Sequence, residues 1–178
     1  AGWGVYVFSP SALRPNILVE APHPEDDFIT PYISTDVFQM YDAGVLMIAG
    51  AAREVLWTHD GDYDNSKSLS DPSRIEQTFF QAAHRAFADL HLDDFTLQLH
   101  SFDSAPHLGL KSLVISAGPD DGWPNEPIMD RCAHDDMISL TPPIAVPANT
   151  AGNHPAVPVT NYYCVFYEGG YRYRSTGP

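Results

Sequence analysis

The sequence predicts a single α/β domain, a mixed central sheet flanked by helices, and three observations carry that prediction. Apolar runs of strand length recur: Asn16-Ile-Leu-Val-Glu-Ala21, Val45-Leu-Met-Ile-Ala-Gly50, Phe95-Thr-Leu-Gln-Leu-His100 and Ser112-Leu-Val-Ile-Ser116. Segments with helical spacing separate several of them, an alternation typical of α/β domains. The chain has 178 residues, enough for one core and short for two.

Taken in order, Val5–Phe8 reads as a short strand, and the turn-rich Ser9–Pro15 leads into the Asn16–Ala21 strand, so the opening is expected to be a hairpin. That second strand stops abruptly at His23-Pro-Glu-Asp26. An imidazole and a carboxylate at this spacing can turn toward one cation where the chain leaves a strand in a tight bend, and Pro22 and Pro24 stiffen the bend. A zinc site in a hydrolase usually takes a third protein ligand and keeps a position for water. His100, at the end of the Phe95–His100 strand, is the candidate, with His107 as its rival in the following loop. Strand ends at the carboxyl edge of an open α/β sheet are where such sites form.

Residues 35–44 read as a helix capped by Ser34 or Thr35 and stopped at Gly44. Val45–Gly50 is apolar throughout, as a strand covered on both faces would be, and Arg53 follows it. A guanidinium there suits bidentate recognition of a substrate carboxylate; the plainer reading is an ion pair with Glu54 or a nearby Asp. Thr58–Asp71 is the most polar stretch, and Asp60, Asp62, Asp64 and Asp71 follow part of a calcium-loop spacing. Asn65 stands where glycine is expected, which favours a solvated loop with weak Ca2+ binding as the lesser reading.

Asp71-Pro72 supplies a cap and a first-turn proline for a helix running to Leu90. Ile75, Phe79, Ala82, Ala83, Ala86, Phe87 and Leu90 form its expected buried stripe, leaving His84 and Arg85 on the surface. After the strands ending at His100 and Ser116 come a loop over 118–127, a short helix over 127–136 and a proline-rich wrap over 141–155. Val159–Glu168 is a strand by its β-branched and aromatic content, and it ends in Glu168.

These fixed points resemble the carboxypeptidase-like zinc hydrolases. His23-x-x-Asp26 after a strand, Leu97-Gln-Leu-His100 and the terminal Phe166-Tyr-Glu168 carry the resemblance, which spans Tyr6 to Arg174; Asp26 stands where glutamate is commoner. The resemblance implies a carboxypeptidase-like, phosphorylase/hydrolase-like fold, Zn2+ on His23, Asp26 and His100, Glu168 as general base, and Arg53 on a peptide or N-acyl amino acid substrate. The reading from another class is a secreted module that holds metal or ligand without turnover.

Composition narrows the partners. Nine Lys plus Arg against 23 Asp plus Glu give a formal charge of −14, which opposes binding to nucleic acid and to anionic lipid. No apolar run approaches the ~20 residues that span a bilayer. The acidic surface and a start at Ala1 suit a secreted or periplasmic protein with its leader removed; a trimmed chain would begin the same way. Cys132 and Cys164 are either a disulfide, contributing roughly 3–4 kcal/mol, or two buried thiols.

Overall fold

The apolar runs form adjacent strands. In a computed structural model of the protein, the structure describes residues 3–27, 29–53, 55, 57–63, 66–73, 75, 77–90, 95–102, 113–117, 138–140 and 162–168. The elements are β1 (Val5–Phe8), β2 (Arg14–Ala21), α1 (Thr30–Met40), β3 (Ala43–Ile48), β4 (Trp57–Tyr63), β5 (Ser66–Ser68), α2 (Phe79–Leu90), β6 (Phe95–Phe102), β7 (Leu113–Ala117), β8 (Ile138–Leu140) and β9 (Tyr162–Glu168). Among the described residues the main sheet has seven strands in the order β1-β3-β2-β6-β9-β7-β8. Its middle strands, β3, β2, β6 and β9, are mutually parallel, while β1 and β7 run antiparallel to their inner neighbours. The sheet is therefore mixed, with a helix on each face, and the α/β prediction holds.

The two faces are separated by strand alternation. Val19, Leu46 and Leu99 pack with Ile33, Val37 and Phe38 of α1. Leu18, Val45 and Met47 point the other way, onto Phe80 and Phe87 of α2. Strand order makes the carboxyl edge between β2 and β6 a topological switch point. From β2 the chain passes through α1 to β3 on one side, whereas from β6 it goes on to β7 beyond β9 on the other. Oppositely directed connections leaving adjacent parallel strands open a cleft between their carboxyl ends.

Several expectations are corrected here. The opening is not a hairpin, because β3 lies between β1 and β2. Asp42 holds the crossing: its carboxylate accepts from Leu13 N at 3.0 Å and its carbonyl from Arg14 N at 3.1 Å. Gly44 is not a helix stop but a close-approach position inside β3, where an added Cβ would lie 2.2 Å from the Pro15 carbonyl oxygen. The first helix begins at Thr30-Pro31 instead of Ser34 or Thr35, proline being well suited to the first turn, and it ends before Asp42, whose φ is 48°. His100 lies within β6, which continues through Phe102.

The second helix starts at Phe79, not at Asp71-Pro72. Thr78 is its working cap, with Oγ1 accepting from Gln81 N at 3.1 Å. Its buried side chains are Phe80, Gln81, His84, Phe87 and Ala88. The stripe is thus turned by about one residue, roughly 100° of helix, from the expected one. Phe79 is 50% exposed and meets the ring edges of Trp3 and Tyr6, Leu90 is exposed, and His84 is buried. The polar stretch after Thr58 contains the antiparallel pair β4 and β5, with Asp60 and Asp62 on a strand; Asp64 lies outside the described residues. His107, Cys132 and the segments expected over 118–127, 127–136 and 141–155 also lie outside them. No described helix is long and apolar enough to cross a membrane.

Candidate metal centre

β2 delivers His23 to the carboxyl edge of the sheet two residues beyond its end, and β6 delivers His100 on the face shared with Gln98. Between them sits Asp27. The turn after Pro22 brings Asp27 N back to the His23 carbonyl at 3.0 Å, and Thr30 Oγ1 donates to the Asp27 carbonyl at 2.7 Å. This geometry fixes the Asp27 carboxylate in the interior. Its Oδ2 lies 3.2 Å from His23 Nδ1 and 2.9 Å from His100 Nδ1. One ligand atom from each of His23, Asp27 and His100 falls within 4.8 Å of the others, and all three residues are buried.

Asp27 thus occupies the place that sequence spacing assigned to Asp26. The Asp26 carboxylate accepts the backbone N–H of Arg53 at 2.7 Å, which pins the chain after β3 to the turn after β2. Arg53 itself is near the centre, with Nη2 3.8 Å from Asp27 Oδ1. Its side chain is 40% exposed, so the guanidinium reaches from the buried carboxylate toward solvent. Of the other expected site residues, Glu168 ends β9 in register with Phe102, two residues beyond His100.

The outer nitrogens of both rings face acceptors. His23 Nε2 is 2.9 Å from Asp71 Oδ1, and the Ser73 hydroxyl lies 3.2 Å from the same nitrogen. Asp71, expected as a helix cap or calcium ligand, also accepts from Ser73 N, closing a local turn that aims its carboxylate at His23. His100 Nε2 is 2.8 Å from Gln98 Oε1. The Gln98 amide is oriented by Glu20, whose Oε2 accepts from Gln98 Nε2 at 3.0 Å. Glu20 Oε1 in turn meets His84 Nδ1 at 2.8 Å. A carboxylate and a carbonyl can only accept, so protonated His23 donates from Nδ1 to Asp27 and from Nε2 to Asp71, while Gln98 Oε1 calls for a proton on His100 Nε2 and leaves His100 Nδ1 toward Asp27.

The charges follow from this arrangement. Burial opposes ionisation of His23, but its hydrogen bonds to the Asp27 and Asp71 carboxylates outweigh it and raise its pKa to about 9. For Asp27, burial is again the largest influence and is again outweighed: His100 and His23 hold the carboxyl well below the usual carboxylate range. His100 goes the other way. Burial, aided by the positive charges of His23 and Arg53, lowers its pKa despite Asp27.

A neutral His100 with its proton on Nε2 directs a lone pair at a carboxylate oxygen 2.9 Å away. Two acceptors at that distance are reconciled by a proton or a metal ion between them. Metal-ligating histidines usually donate their remote N–H to a carboxylate or carbonyl, as Asp71 and Gln98 permit here. Two imidazole nitrogens and one carboxylate, buried beside a partly exposed arginine, form a three-ligand set that could hold a metal ion. Sequence reasoning missed Asp27, Gln98, Glu20 and His84, and it gave Asp71 another role. The one available signal was the polar alternation Thr96, Gln98, His100 between leucines in a strand otherwise suited to burial.

Set against protein-family models, curated proteins and solved structures, the chain finds no match in any of the three.

Proposed function

We propose that the protein is a zinc-dependent hydrolase of amide or peptide bonds in carboxylate-bearing substrates, of the carboxypeptidase or amidohydrolase type. The observation that carries the reading is the convergence of His23 Nδ1, His100 Nδ1 and Asp27 Oδ2 at the carboxyl edge of two adjacent parallel strands. Zinc held there would supply Lewis acidity and activate water near neutral pH. In this reading Arg53 receives the substrate carboxylate or polarises the scissile carbonyl. Glu168, at the end of the strand next to His100, takes a proton from water and passes it to the leaving amine.

The experiment is metal analysis of the purified protein, then hydrolysis of a panel of peptides and N-acyl amino acids with and without chelator. One zinc per chain and chelator-sensitive turnover are expected. A zinc-loaded protein inert toward the whole panel would favour the metal-binding module instead.

A second reading has one observation behind it: Ser73 Oγ, His23 and Asp27 line up as a hydroxyl, an imidazole and a carboxylate. Asp71 opposes it, because its carboxylate at 2.9 Å keeps a proton on the nitrogen that would have to accept one from Ser73. Turnover that survives chelation and is abolished by Ser73→Ala would establish it.

A further inference from the structure

The metal reading uses three ligands, yet the buried polar chain continues past them into the middle of the sheet. Glu20 is fully buried on β2, at 0% exposure, and pairs in register with Gln98 on β6. Its two carboxylate oxygens are taken separately, Oε1 by His84 Nδ1 on α2 and Oε2 by Gln98 Nε2. A buried carboxylate is costly unless donors satisfy it, and His84 and Gln98 are the donors that do so here. Gln98 is constrained in return. With its amide nitrogen committed to Glu20, only Oε1 is left to face His100, and that oxygen can do nothing but accept from Nε2–H at 2.8 Å.

We infer that His84, Glu20 and Gln98 form a buried relay that locks the tautomer of His100, so that its Nδ1 is the metal-binding nitrogen. These are positioning residues, and the inference rests on the metal reading above. The relay explains why α2 carries a histidine on its buried face and why an acidic residue interrupts the apolar β2. It also explains the amide at position 98, since a carboxylate there would lie against Glu20.

The test is two-dimensional 1H–15N NMR of the histidine rings in the wild-type protein with and without Zn2+, together with zinc affinity of wild type and Gln98→Met by competition with a chelator. His100 is expected to keep its proton on Nε2 in both wild-type states and to bind zinc through Nδ1. Gln98→Met should bind zinc about 10–100-fold more weakly, the usual effect of removing a group that orients a ligand. Zinc on Nε2, an unprotonated Nε2, or wild-type affinity in Gln98→Met would overturn the lock. The wild-type spectra decide the matter even if that variant does not fold. Should the wild type take up no zinc, the metal reading falls, whereas a His100 Nε2–H in the metal-free protein would still support the lock.

Discussion

Asp27 Oδ2 stands 2.9 Å from His100 Nδ1 across 73 residues of sequence, while the neighbouring Asp26 turns away to the backbone of Arg53. Two adjacent aspartates therefore have different tasks. Asp27→Ala, His23→Ala and His100→Ala should each abolish stoichiometric zinc, whereas Asp26→Ala should retain it and lose affinity only through a looser Arg53 turn. Metal content after dialysis measures this; loss of zinc from Asp26→Ala with retention in Asp27→Ala would reverse the assignment.

Protons and metal should compete at His23. Its folded pKa is raised to about 9 by Asp27 and Asp71, against an unfolded value near 6.5. A group raised on folding adds stability that is fully present below the unfolded value and disappears as pH climbs through the folded one. The metal-free protein should accordingly lose stability between about pH 6.5 and 9 from this group. Zinc requires the ring without its Nδ1 proton, so zinc affinity should rise over the same interval. Chemical denaturation and zinc titration at pH 6, 7.5 and 9 test both signs, and a metal-free protein that gains stability through that range would contradict the raised value.

Packing of α2 offers a separate check. Phe80 and Phe87 are buried against Leu18, Val45 and Met47, so Phe80→Ala and Phe87→Ala should each cost roughly 3–5 kcal/mol. Half-exposed Phe79 should cost about 1 kcal/mol or less on truncation, chiefly from its ring contacts with Trp3 and Tyr6. Equal losses at 79 and 80 in urea unfolding would mean that the helix is rotated from the position described.

Under the proposed hydrolase chemistry, Glu168→Gln should reduce kcat by about two to four orders of magnitude, the usual range for a positioned acid–base group, with zinc content and Tm nearly unchanged. Arg53→Ala should act mainly on KM for substrates with a free carboxylate. Unchanged turnover in Glu168→Gln, on a substrate that a chelator protects, would remove this residue from the mechanism.

The strands were largely legible because apolar runs bounded by turn residues have few alternatives. The bend after β2 was legible for the same reason, and so was the meeting of His23 with His100, although His100 lies inside β6 and not at its end. Asp27 was not: choosing among Glu25, Asp26 and Asp27 requires the φ and ψ of the turn, and spacing alone favoured the wrong aspartate. His84 was missed because a periodicity count treats histidine as polar and therefore external, although Glu20 across the interface makes it a buried donor. That miss displaced the whole stripe of α2, since 79, 83 and 87 and 80, 84 and 87 are both acceptable helical spacings. Asp71 looked like a helix cap because Asp-Pro is a strong local signal; its long-range bond to His23 exists only in the assembled fold.

The pairing of Glu20 with Gln98 bears on how the chain avoids misassembly. Sliding β6 along β2 by a single residue would turn Thr96, Gln98 and His100 into the apolar layer beneath α1 and set Leu97 or Leu99 against the Glu20 carboxylate. Such a sheet would bury several unsatisfied polar groups at once, each costing about 1–3 kcal/mol. Glu20, Gln98 and His100 therefore act as a proofreading device for strand alignment: the sheet that misplaces them is penalised during folding, before any ligand arrives.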